Sequence, residues 1–136
     1  MRPPEEVKRD LVRQWVAKAD EDLNAEKLLL SLGTSFFSTI AFHCQQAVEK
    51  YCKAFLTWRQ SEFPKTHDLE LLFSLISSTD ASLSSSLKEV AVLNPFGVDV
   101  RYPGDVPEIT PAEAEEAVQL SEKAREIILG ALDIKK

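Results

Sequence analysis

Glycine is scarce in this sequence, four residues in 136, and none falls in a phosphate-cradling pattern. That removes the P-loop and the dinucleotide fingerprint, both of which need glycine for close backbone approach to phosphate. Histidine and cysteine are scarcer, two of each. They form no metal-ligand spacing, so neither a metal nor a cofactor is expected. Cys44 and Cys52 fall eight residues apart in one expected helix, about 12 Å along its axis and too far for a disulfide. Both read as reduced core residues.

Long apolar runs are also missing. Leu28-Leu29-Leu30 and Phe36-Phe37 are far too short to span a bilayer, and Met1-Arg2-Pro3-Pro4-Glu5-Glu6 lacks the layout of a signal peptide. The expectation is a soluble, cytoplasmic protein with no membrane partner. Basic residues are outnumbered, 16 against 22 acidic, for a net charge of −6. That disfavours coating of nucleic acid through bulk electrostatics and leaves a local basic patch open. No serine, histidine and acid fall in a recognised nucleophile motif. Strand-like alternation and internal repeats are absent.

What remains is helical. Hydrophobic residues make up 44% and charged residues 28%, the balance of a folded domain, and the length suits one domain over residues 1–136. Pro3, Pro4, Glu5 and Glu6 make a good helix start. Leu11, Val12, Trp15, Val16, Ala19, Leu23 and Leu30 continue at helical spacing, and Gly33 is the natural stop. Thr34 or Ser35 is the expected cap of a second helix. Its buried stripe is Phe37, Ile40, Ala41, Cys44, Ala47, Val48, Tyr51, Cys52 and Phe55, within a sector of about 140°. The opposite face carries Gln46, Lys50 and Lys53, with Phe42 outside the stripe.

Pro64 breaks the chain. Thr66 then reads as an N-cap for a short helix on Leu69, Leu72, Phe73 and Ile76, with Asp68 in its first turn. The serine-rich stretch 77–86 leads to another short helix on Leu83, Leu87, Val90 and Ala91, ended by Asn94-Pro95. Residues 96–108 are expected to run extended. Thr110-Pro111-Ala112-Glu113 is a capping box for a last helix on Ala114, Ala117, Val118, Ser121, Ala124, Ile128 and Leu132. The fold class predicted is all-α: an up-and-down antiparallel four-helix bundle, one side made of two short helices.

Few residues suggest chemistry, and each has a structural alternative. His43 borders the buried stripe and reads as a boundary residue hydrogen-bonded to a neighbour, or as a site residue. His67 follows a cap, where helix-start amides accept anions; otherwise it is a surface residue. Lys50 and Lys53 contact phosphate or simply solvate a surface. Exposed Phe42 suggests a partner surface or lies under a loop. In the segment 99–105, Arg101 grips phosphate and Tyr102 stacks on a base, or Arg101 makes an ion pair and Tyr102 packs over a helix end.

Trp15, Ala19-Asp20 and Asp22-Leu23 to Ala25-Glu26, then Phe42-His43-Cys44-Gln45-Gln46-Ala47-Val48-Glu49-Lys50 and Lys53-Ala54, together resemble the HEPN family. Lys65-Thr66-His67-Asp68-Leu69, Arg101-Tyr102-Pro103 and the alanine-rich closing helix extend the resemblance over nearly the whole chain. It implies a helical bundle that forms a homodimer and is often paired with a minimal nucleotidyltransferase, as in toxin–antitoxin systems. It also implies competing activities. Some members are metal-independent RNase toxins, with an arginine, a polar residue and a histidine four to six positions after the arginine. Others resemble the substrate-binding helical domain of aminoglycoside nucleotidyltransferases and bind nucleotide or a partner without cutting RNA.

This chain departs from the RNase pattern: Arg101 is followed by Tyr102-Pro103-Gly104-Asp105-Val106-Pro107, with no histidine. The expectation is therefore a module that binds nucleotide or RNA phosphate through Lys50, Lys53, His67, Arg101 and Tyr102. The alternatives are an RNase with a relocated histidine, its catalytic candidates Arg101, His67 and His43, and a non-catalytic interaction bundle.

Overall fold

The computed structural model describes residues 3–97 and 108–132. Helix α1 (Pro4–Ser31) begins with proline in its first turn and Glu5 and Glu6 at the positive dipole end. It closes at Gly33, whose φ of 72° is the left-handed conformation expected there. Gly33 N–H donates to Leu30 O and Thr34 N–H to Leu29 O, the paired bonds of a Schellman ending. Thr34 adds its hydroxyl to Leu29 O at 3.0 Å. The expected helix cap at Thr34 or Ser35 is thus corrected: Thr34 finishes α1, and α2 (Phe37–Trp58) starts after Phe36 with no side-chain cap.

Every residue of the predicted α2 stripe is buried except Phe37, which is half-buried. The opposite face, expected to be solvated, is covered as well. From Ala47 to Leu56 every residue except Lys50 is buried. The reason is topological: α1, the last helix and the short helical segments over Leu69–Thr79 and Lys88–Gly97 pack on it, and Gln45 and Lys53 bond the chain after α2. α2 ends in a second Schellman pattern, Gln60 N–H to Thr57 O and Ser61 N–H to Leu56 O. Gln60 takes the left-handed position there with φ 54°. Leu11, placed by periodicity on the apolar face of α1, is 45% exposed, while Val12, Ala19 and Leu23 are buried.

Helix α3 (Leu69–Thr79) is capped by Asp68, which accepts from Glu70 N–H at 3.0 Å. The cap is therefore not Thr66, whose hydroxyl accepts from Asp68 N–H. Asp80 ends α3 and caps α4 (Ala81–Ser86). A 3₁₀ helix then runs over Lys88–Gly97, through Pro95. One helix ended by Asn94-Pro95 was expected. Instead Leu87, Val90 and Leu93, all buried, recur every three residues, and that period stacks them on one face of a 3₁₀ helix.

Helix α5 (Pro111–Ala131) opens with both reciprocal bonds of the Thr110–Glu113 capping box. Ala114, Ala117, Ser121 and Ala124 are small and fully buried. Ser121 donates to Cys44 O at 3.0 Å. The three long helices are also tied by polar groups. Asp20 of α1 accepts from Tyr51 Oη of α2 at 2.5 Å and from Arg125 Nε of α5 at 2.8 Å. Burial first, then the bond to Asp20, pushes the Tyr51 pKa upward, so the hydroxyl stays a donor. The result is an all-α bundle of three long helices with the short helical segments as the remaining side. Among the described residues, no helix is long and apolar enough to cross a membrane.

Candidate functional site

The middle of α2 presents Gln45, Gln46, Glu49 and Lys53 toward the chain that descends from α2 into α3. Glu49 is the centre. Its side chain is 3% exposed, yet it carries a carboxylate, which burial would make costly without partners. Lys53 Nζ donates to Glu49 Oε1 at 2.9 Å and to Thr66 O at 3.1 Å. His67 Nδ1 lies 2.9 and 3.2 Å from the two Glu49 oxygens. Gln46 Nε2 donates to Glu49 Oε2 at 3.2 Å and to Gln45 Oε1 at 2.7 Å. Every oxygen of this buried acid is engaged.

The same helix clamps the backbone that holds His67. Gln45 is fully buried and donates from Nε2 to His67 O at 2.9 Å. Its amide lies so close to Gly97 that a Cβ there would sit 2.6 Å from it, so the end of the 3₁₀ helix is packed on Gln45. Asn94 of that helix accepts from Leu69 N–H at 2.8 Å and donates to Asp68 Oδ1 at 3.1 Å. Two amides at the start of α3, Leu69 and Glu70, are thereby occupied by side chains of this chain. The anion-accepting helix start expected beside His67 thus has two of its amides already bonded.

The His67 side chain is 66% exposed while its Nδ1 faces buried Glu49. A carboxylate accepts only, so the hydrogen bond places a proton on Nδ1. Nε2 is then the ring atom without a hydrogen-bond partner among the described residues, an acceptor when the ring is neutral and a donor when it is protonated. A carboxylate-oriented imidazole can hydrogen-bond a phosphate or move a proton.

The other predicted residues separate from this cluster. Lys53 belongs to it, but at 8% exposure and paired with Glu49 it is not a solvated surface lysine. Lys50 is half-buried and pairs with Asp22 at 2.6 Å. His43 lies six positions before Glu49, about 9 Å away along the helix axis. Its Nδ1 is 3.0 Å from Thr39 O and 3.6 Å from Glu26 Oε1, and its ring meets Phe42 edge-on at 5.1 Å. That is a neighbour-bonded boundary histidine, and Phe42 is half-buried beside it. Arg101 and Tyr102 lie outside the described residues.

Glu26 forms a second polar spot. Its side chain is 4% exposed, and Oε2 is a buried oxygen without a hydrogen-bond partner among the described residues. Burial pushes its pKa up to about 7, opposed by His43 and reinforced by Asp22. Cys44 and Cys52 are buried and free. Burial raises both thiols, Cys44 to about 12, which leaves them poor nucleophiles. Among the described residues no group of three or more histidine, cysteine or acidic side chains is placed to hold a metal.

Gln45 and Glu49 lie in the segment that carries the HEPN resemblance, and Asn94 marks an expected helix end, but neither they nor Gly97 stood out as site residues. Apart from that resemblance, the signal was the Glu49–Lys53 spacing of four, which marks an ion pair on any helix and says nothing of burial.

Comparison with known proteins supports a family and a fold. No curated protein matches the chain. The crystal structure of TT1696 from Thermus thermophilus is similar, with TM-score 0.73 and 27% identity over 89% of this chain and 98% of that one. ST0689, an archaeal HEPN homologue, shares the fold with TM-score 0.70 at 22% identity, over 90% of this chain and 98% of its own. The HEPN domain model matches residues 12–131. Spanning nearly all the described helices, that match shows that the chain belongs to the HEPN domain family.

Proposed function

We propose that this chain is a HEPN binding module that engages the phosphate of a nucleotide or RNA. In this reading it works as a homodimer of a single-domain protomer, beside a partner nucleotidyltransferase. The observation that carries the proposal is the Glu49–His67 pair: a buried carboxylate holds one nitrogen of a two-thirds exposed imidazole. An imidazole so held can donate from Nε2 to a phosphate oxygen when protonated, a charge-assisted bond. Arg101 and Tyr102 remain the proposed second phosphate contact and stacking ring. Lys50 and Lys53 are set aside as primary contacts, because each already neutralises an acid.

Calorimetric titration with ATP and with short single-stranded RNA tests this. Wild type is expected to bind at least one of them. His67→Ala and Arg101→Ala are each expected to weaken binding about tenfold or more, the scale of a lost charge-assisted bond. Absence of binding by wild type, alone and with a nucleotidyltransferase, would remove the proposal.

The same pair supports a second reading, a metal-independent RNase toxin. A carboxylate-held histidine suits proton removal from a ribose 2′-hydroxyl, and an arginine suits the charge that develops on the phosphate. His67 is the better-placed base of the two histidines, since a carboxylate at 2.9 Å holds its Nδ1 and its side chain is 66% exposed, whereas His43 is held by a backbone carbonyl and is 40% exposed. RNA incubated with metal-free protein should then be cleaved by wild type and left intact by His67→Ala. Intact RNA in both samples would leave binding alone.

A further inference from the structure

The polar cluster around Glu49 does not end at Lys53. Lys53 Nζ also lies 5.6 Å from the ring centre of Trp15 on α1, and Trp15 meets Phe63 edge-to-face with ring centres 6.3 Å apart. His67, Glu49, Lys53, Trp15 and Phe63 are therefore one continuous series of contacts. Both aromatic rings are half-buried. Phe63 also faces a shallow, solvent-open hollow that it shares with Glu62 and Pro64. Phe63 stands four residues before His67, so their Cα atoms are at most about 14 Å apart. An apolar ring and a phosphate-competent imidazole thus border the same loop.

We propose that this hollow is a nucleobase subsite: the base of a single-stranded nucleotide stacks on Phe63, with Trp15 behind it and its phosphate at His67. The proposal rests on the phosphate reading of His67 and extends it from a bare phosphate to a base-bearing nucleotide. Three physical points support it. Aromatic faces bind every base through stacking, without a donor and acceptor code. Trp15, held by Lys53 on one side and Phe63 on another, gives Phe63 a rigid backing. Glu62 on the rim offers an acceptor to a base amino group and repels phosphate, which orients the nucleotide with its phosphate toward His67.

The test uses Trp15 as its own reporter. The chain has two tryptophans, so Trp58→Phe leaves Trp15 as the single emitter. Titration of this variant with a short oligoadenylate is expected to change its emission saturably, whereas ribose 5-phosphate, which lacks a base, should not. Phe63→Ala is expected to weaken oligoadenylate binding about tenfold, the scale of one lost base–aromatic stack. Phe63→Leu keeps apolar bulk against Trp15 and should weaken binding similarly, which separates the lost ring from a lost fold; circular dichroism checks that both remain helical. Equal binding of the two probes, or oligoadenylate binding untouched by both substitutions, overturns the subsite. If that residual binding still depends on His67, the phosphate reading survives alone. If oligoadenylate does not bind at all, both fall.

Discussion

Glu49→Ala is expected to destabilise the protein by about 3–5 kcal/mol, the scale for removing one partner of a buried ion pair. The midpoint of urea unfolding would report it. The loss does not come mainly from the missing attraction. It comes from Lys53, whose side chain is 10% exposed and would be left with Thr66 O and the face of Trp15 as its partners among the described residues. A double variant, Glu49→Leu with Lys53→Met, removes both charges. It should recover much of the lost stability, because apolar groups of similar volume often replace a buried pair at little cost. The double variant would still lack the acceptor that orients His67. Stability restored with nucleotide binding still weak would separate the positioning of His67 from the folding of the bundle. A loss below about 1 kcal/mol for the single variant would mean that the pair behaves as a surface pair.

Glu26→Gln is expected to act in the opposite direction and only above a certain pH. The folded carboxyl titrates near 7 against an ordinary value of 4.5, chiefly because it is buried. Between those values the folded protein holds a proton that the unfolded chain has released, so stability falls as pH rises from about 4.5 to about 7. The loss reaches about 3 kcal/mol, from 2.5 pKa units at about 1.4 kcal/mol each. Glutamine is neutral throughout and removes this dependence. The variant should match wild type near pH 4.5 and exceed its stability by up to about 3 kcal/mol at pH 8. Paired thermal melts at those two pH values check it. An equal difference at both would show that Glu26 does not lose its proton within that window.

Much of the fold was legible because helices announce themselves locally. The α2 stripe, the Gly33 stop and the Thr110–Glu113 box each depend on residues within a few positions of one another. The failures have a common cause. Gln60 closes α2 in a left-handed conformation that glycine would have advertised and glutamine does not. Thr66 and Asp68 are both good caps by composition, and only the hydrogen bonds decide that Asp68 holds the helix while Thr66 holds Asp68. The three-residue spacing of Leu87, Val90 and Leu93 fits an α-helix loosely and a 3₁₀ helix closely. Packing on the bundle selects the second.

The site was half legible. His67 and Lys53 both stand out by residue type, but the sequence offers Lys53 phosphate contact or a solvated face and not a buried ion pair, because a helical wheel shows where apolar residues point and not how many neighbours a helix has. Composition and periodicity determined an all-helical chain and the buried stripe of α2, since these follow from residue types and short-range spacing. Tertiary structure alone decided that Glu49 is buried, that it joins Lys53 to His67, and that Gly97 must lack a side chain beside Gln45. Those facts depend on segments 18 to 52 residues apart meeting on one helix. The charge on a glutamate costs little or much according to what excludes water from it, and no local spacing records that.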